Sequence, residues 1–222
     1  MAYNIAGLAG KIRYRVRDSG YAAEEIVNYI NDTQNDIFNE YRLPFMEATQ
    51  AYTLNIGTAD ITNGSDLPTN FVSPILLLLT TNGYEKRLQF RDVREMDELH
   101  PDYEASSTPN GTPTDAYKYG ETIKVYPEPD QAYTVTLRYY KKPTVLSADA
   151  DVPELPSEFE EMLVLGASYR ILQVKDNYDQ AGILQNKYDE LLDKLVAKYS
   201  RNQTGMPTIM RINRSPVGKS HY

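Results

Sequence analysis

Apolar residues recur at helical spacing near both ends of this chain and at strand spacing in the middle, and that change of period dictates the architecture. Across residues 22–42, Ile26, Tyr29, Ile30, Ile37, Phe38 and Tyr41 line one helical face. Glu24 and Glu25 occupy the first turn, where the helix dipole favours anions, and Leu43-Pro44 ends the run. Residues 3–17 fit two periods. Ile5, Leu8, Ile12 and Val16 read as helix, whereas 11–17 alternates as a strand would. The longer window favours helix, broken at Asp18-Ser19-Gly20.

Near the other end, Ser157 with Glu160 three residues on forms a capping-box pattern. Phe159, Met162, Leu163, Gly166, Tyr169 and Ile171 carry a helical stripe to about residue 174. After a break near Asp176-Asn177, a second stripe runs through Leu184, Tyr188, Leu191, Leu192, Leu195 and Tyr199. Neither terminal set can hide its own stripe, so the two sets must pack on each other.

The region between about 49 and 145 carries short β-rich runs at 51–56, 75–81, 117–119, 122–126 and 133–140. Asn63-Gly64-Ser65-Asp66, Asn82-Gly83, Asn110-Gly111 and Pro127-Glu128-Pro129-Asp130 separate them. Tyr133, Val135, Leu137 and Tyr139 alternate with polar residues, as a strand with one buried face requires. Gly120 marks a hairpin turn or bulge, and 92–99 fits one short helix. The expected class is α+β. A bundle of N-terminal (1–48) and C-terminal (147–200) helices encloses an antiparallel β-sandwich or barrel-like insertion (49–146), and an extended tail follows (201–222).

Charge is divided unevenly. All 31 Asp and Glu precede Lys194, while Lys194, Lys198, Arg201, Arg211, Arg214 and Lys219 follow the last of them. The net charge of −8 sets the body against the phosphate backbone of nucleic acid. Gly205, Pro207, Pro216 and Gly218 make the basic segment an extended tail with a reach of about 70 Å at roughly 3.3 Å per residue. Such a tail suits docking on something acidic: another copy, another protein, a nucleic acid or a membrane. The 19 tyrosines, with no tryptophan, suit half-exposed sheets and interfaces. The longest apolar run, 75–79, is far short of the roughly 20 residues a membrane span needs, and no signal peptide is evident, so a soluble protein is expected.

Chemistry has little to stand on. With no cysteine, disulfides and thiolate sites are excluded. His100 lies among acidic residues before Pro101, and His221 is next to last. Gly218-Lys219-Ser220 imitates the end of a phosphate-binding loop but has no strand before it and no room for a helix after it. Asp149, Asp151 and Glu154 lack the remaining ligands of a calcium loop and read as an acidic linker before a helix. Lys11, Arg13, Arg15 and Arg17 split over two faces of a helix, which suits solvent or an acidic partner. No catalytic, metal or cofactor site is expected, and the chain does not read as an enzyme.

Three stretches carry a resemblance. One comprises 8–18 and 24–37, with an apolar–Asn–x–x–Gln pattern at Ile30, Asn31 and Gln34. A second comprises 113–127 followed by 133–143. The third is 152–167, where Leu155-Pro156-x-x-Phe159 leads into a helix. Their order and spacing resemble the head-to-tail adaptor (connector) proteins of tailed bacteriophages. The resemblance implies a virion neck protein, made in the host cytoplasm, that forms a ring beneath the portal, commonly of twelve copies. Its helices would build the ring and its β insertion would face outward or toward tail or nozzle proteins. Genomic DNA would pass through without specific binding. The tail would dock on the portal through Met206, Ile209, Met210, Ile212, Val217 and Tyr222, with Arg201, Arg211, Arg214 and Lys219 meeting carboxylates. Two alternatives are another neck or tail component, such as a stopper or tail-completion protein, and a glycan-binding β module built on the tyrosine-rich sheet.

Overall fold

A computed structural model describes residues 3–81, 83–103 and 110–201. It contains five α-helices and one six-stranded curled sheet, an α+β fold. The described chain divides into two compact units. One is helical, built from the residues up to Met46 and those from Lys142 onward; the other is β-rich, Glu47–Lys141.

In the helical unit, α1 (Ile5–Val16), α2 (Ala23–Glu40) and α5 (Tyr178–Arg201) are arranged around α4 (Glu160–Val174). Most of α4 is buried, including every residue from Met162 to Ser168, as a helix covered on all sides must be. The closest approach is to α2. A Cβ on Gly166 would lie 2.3 Å from Thr33 Cγ2 and 2.7 Å from its Oγ1, so only glycine fits there. Arg170 then ties the pair together, donating to Thr33 Oγ1 and pairing with Asp36.

The linker into α4 is held by side chains that act as substitute backbone. Asn31 donates to the Leu146 carbonyl and accepts from the Leu146 N–H, both at 2.9 Å. Gln34, 1% exposed, donates to the Thr144 carbonyl at 3.3 Å and accepts from the Glu154 N–H at 3.2 Å. The linker in turn caps α1: the Ile5 and Ala6 N–H groups donate to the Asp151 and Asp149 carbonyls, and Gly7 N–H to Asn4 Oδ1. Thus the Asn–x–x–Gln pattern of α2 satisfies buried backbone that has no sheet or helix to join.

α1 ends where Arg17 turns left-handed (φ 54°), one residue ahead of the expected Asp18-Ser19-Gly20 break. The capping box at Ser157 does not form. Ser157 opens a short 3₁₀ turn after Pro156, and Glu160 Oε1 instead accepts the Tyr3 N–H at 2.6 Å.

The β unit comprises β1 (Glu47–Leu54), β2 (Phe71–Thr81), β3 (Tyr84–Arg91), α3 (Val93–Leu99), β4 (Asp115–Tyr119), β5 (Thr122–Tyr126) and β6 (Tyr133–Lys141). The strand order is β1-β6-β2-β3-β4-β5. β6 is paired on both sides, by β1 and β2, and its Tyr133, Val135, Leu137 and Tyr139 join Leu77, Leu79, Leu88 and Val125 in the core. Pro74, which has no N–H to give, sits at an irregularity in the β2–β6 ladder. Gly120 (φ 60°) turns the β4–β5 hairpin. The segment after β1 returns along β5, with the Ile61 N–H donating to the Ile123 carbonyl and the Val125 N–H to Ala59.

The insertion is therefore one curled sheet. Every pairing between these strands is antiparallel, as expected, except β3–β4, which is parallel. β3 itself was not expected, since Leu88 and Phe90 are its only apolar residues besides the exposed Tyr84, and most of its side chains are exposed.

Two predictions concern the helical unit. Asn31→Ala and Gln34→Ala each strand linker donors and acceptors, and should lower unfolding free energy by about 1–3 kcal/mol in denaturant titrations. Glycine to alanine in a helix ordinarily stabilises by about 0.5–1 kcal/mol. Gly166→Ala should instead destabilise by about 1–3 kcal/mol, because Thr33 occupies the space. A double variant with Thr33→Ala should lose less than the sum of the two single variants.

Candidate interaction surfaces

α5 ends in an aromatic cluster from which the tail sequence continues. Tyr199 packs edge-on to Phe45 at 5.3 Å, Phe45 meets Phe38 at 5.8 Å, and Phe159 lies 6.4 Å from Tyr199. Lys198 reaches both oxygens of Glu158 at 2.5 Å, and Lys194 pairs with Glu190 at 2.7 Å. Two of the six cations beyond Asp193 are thus neutralised within the helical unit. Arg201 is the last residue of α5. Met206, Ile209, Met210, Arg211, Ile212, Arg214, Val217, Lys219 and Tyr222 lie outside the described residues, as does Gly218-Lys219-Ser220.

The other motifs have structural roles. Asp151 Oδ2 accepts the Ser147 and Ala148 N–H groups, both at 2.8 Å, and these bonds hold its carboxyl below the ordinary aspartate range. Glu154 accepts the Thr144 hydroxyl at 2.6 Å. His100 follows α3, stacked at 4.3 Å on Tyr126, with Nε2 3.9 Å from Asp115, whose carboxylate also receives Arg91 Nε at 2.5 Å. Among the described residues no group of three or more His, Asp or Glu side chains could hold a metal, and no helix is long and apolar enough to cross a membrane. Tyr133 and Tyr139 lie in the core, as their alternation along the strand implied. Tyr133 donates to Asp130 at 2.6 Å and Tyr139 to Asn70 at 3.1 Å.

Two surfaces of the helical unit lack such internal explanations. The first is the outer face of α1. Ala6, Gly10, Tyr14 and Arg17 follow one another along it, all exposed, and the Tyr14 side chain stands 88% exposed. Hollows lie on both sides of it. One is bordered by Lys11, Arg15 and Glu161, the other by Arg13, Asp18 and Ser19. The basic cluster does split over two faces, and Tyr14 is the ridge between them. Arg15 pairs with Glu161 at 2.5 Å, Lys11 sits 3.5 Å over the Tyr3 ring, and Arg13 Nε donates to the Tyr21 carbonyl.

The second is a groove of about 580 Å³ between α2 and α5. Tyr169 of α4, Tyr188 and Leu192 are among its lining, with Asp36 and Glu40 on one side and Asp189 and Asp193 on the other. Each pair is spaced i,i+4, which places like charges side by side on a helix and costs helix stability. Arg170 compensates Asp36, but Glu40, Asp189 and Asp193 make no ion pair among the described residues. Burial, then the Asp193 and Glu40 carboxylates, push the Asp189 carboxyl above its ordinary value of 3.8. Burial likewise raises the Tyr188 and Tyr169 hydroxyls. These carboxylates were not singled out from sequence. The i,i+4 pairs were visible there, but only packing on α4 brings them to one groove.

A raised folded-state pKa means that Asp189 favours folding when protonated and opposes it as pH rises through that value. Asp189→Asn should therefore raise the melting temperature at neutral pH, and the gain should shrink as pH falls toward 3.8. A gain that is constant with pH would show that the charge is not its cause.

No curated protein matches this chain. The family model of the SU10 adaptor protein matches residues 3–211. That span covers both compact units and the first half of the basic tail, through Arg211. With the match running over nearly its whole length, the chain belongs to the SU10 adaptor protein family and is a phage adaptor protein.

Proposed function

We propose that this protein is the head-to-tail adaptor of a virion neck, assembling as a ring, of twelve copies, between the portal and the tail proteins. Family membership over residues 3–211 carries the reading. The fold supports it: a helical unit with α4 sheathed by its neighbours offers a rigid wall segment, and the β unit offers a separate surface for tail-side proteins. The two units would act as separate domains, the helical one building the ring.

The basic tail docks on the portal in this reading. Lys194 and Lys198 are already paired, so positive charge for a partner begins at Arg201 and continues through Arg211, Arg214 and Lys219. Met206, Ile209, Met210, Ile212, Val217 and Tyr222 supply apolar contact, and ordering on the portal exchanges chain entropy for buried area. The acidic body suits a conduit, since walls of the same sign as DNA limit sticking of the passing genome. The role is structural and requires no catalytic group.

The test is to mix purified protein with the portal protein encoded in the same genome and weigh the product by size exclusion with light scattering. The full chain should give a ring-sized complex, and a chain ending at Ser200 should lose at least most of the binding. Binding by neither version would make the portal assignment wrong.

A further inference from the structure

Resting on the ring reading above, we propose that neighbouring copies join by seating the Tyr14 ridge of α1 in the α2–α5 groove of the next copy. The ridge is an unpartnered helix face whose centre is an exposed aromatic and whose flanks are basic. Tyrosine and arginine are the residue types that most often carry binding energy at interfaces. The groove is opposite in sign and complementary in chemistry. Among the described residues Glu40, Asp189 and Asp193 make no ion pair, and the tyrosine-lined floor gives the Tyr14 ring somewhere to pack.

The two surfaces share no residue, although both belong to the helical unit. A contact between different patches is heterologous. Repeated from copy to copy, it closes into a ring when the rotation permits, whereas a self-complementary patch stops at a dimer. This also accounts for the like charges at i,i+4 on both α2 and α5. The repulsion that weakens each helix in the free chain is relieved when Arg17 and its neighbours arrive. Because the charges lie at the surface, assembly should weaken as salt rises.

Two variants of the full chain test the pairing: Y14A/R17A removes the ridge and D189K/D193K reverses the groove. Sedimentation velocity would be followed over rising concentration, alone and with portal protein, beside the unaltered chain. Each variant alone should lose ring assembly. Mixed one to one, each supplies the surface that the other lacks, so they should form a capped dimer and nothing larger. Circular-dichroism melting checks that each is folded, and the single substitutions Y14A and D193K replace a double variant that is not. Rings from both variants, or no capped dimer from the folded mixture at concentrations where the unaltered chain forms rings, would overturn this interface and leave the ring reading intact. An unaltered chain that stays monomeric both alone and with portal protein would overturn the ring reading, and this interface with it.

Discussion

The helical unit depends on how its backbone is satisfied where the chain comes back from a 95-residue excursion, from Glu47 to Lys141. The returning segment is neither helix nor strand, so its N–H and C=O groups need partners from elsewhere. Asn31 and Gln34 provide them from the side of α2, each by one donated and one accepted bond. The same segment then offers its own carbonyls to the first N–H groups of α1. One run of linker therefore joins α1 and α2 before α4 begins, and α4 enters a seat already shaped for it. Gly166 lets it sit directly against Thr33.

Charge is organised on a larger scale than any single ion pair. Within the helical unit several cations pair with specific carboxylates: Arg15 with Glu161, Arg170 with Asp36, Lys175 with Asp18, Lys198 with Glu158. Exposed pairs of this kind contribute little to stability, on the order of 0–1 kcal/mol each. Among the described residues the groove carboxylates Glu40, Asp189 and Asp193 stay outside these pairs. In the proposed assembly, that charge would set which surfaces meet and would make their association sensitive to salt.

Much of the architecture was legible in advance because burial on one side imposes a period. α2, α4 and α5 follow from stripes such as Ile26–Ile30–Ile37, and β6 from Tyr133–Val135–Leu137–Tyr139. β3 escaped because its pairing is mostly main-chain, with Leu88 its only buried side chain. The better signal was local, since Asn82-Gly83 directly after an apolar run is itself a hairpin mark. Glu160 was read as closing a capping box on its own helix, yet it binds the Tyr3 N–H 157 residues away. A local pattern cannot report a competitor that arrives from the other end of the chain.

The α+β class, the interruption of the helices by a β segment, and the separation of an acidic body from a basic tail are all legible in the order of residues. Those properties are set by period and composition, which need no knowledge of what lies across the fold. Folding alone reveals that Asn31 and Gln34 hold the linker, that Tyr14 stands clear between two hollows, and that the carboxylates of α2 and α5 share one groove. The cause is the same in each case: these features exist only between elements distant in sequence, and their relative placement is settled by how α1, α2 and α5 share the surface of α4.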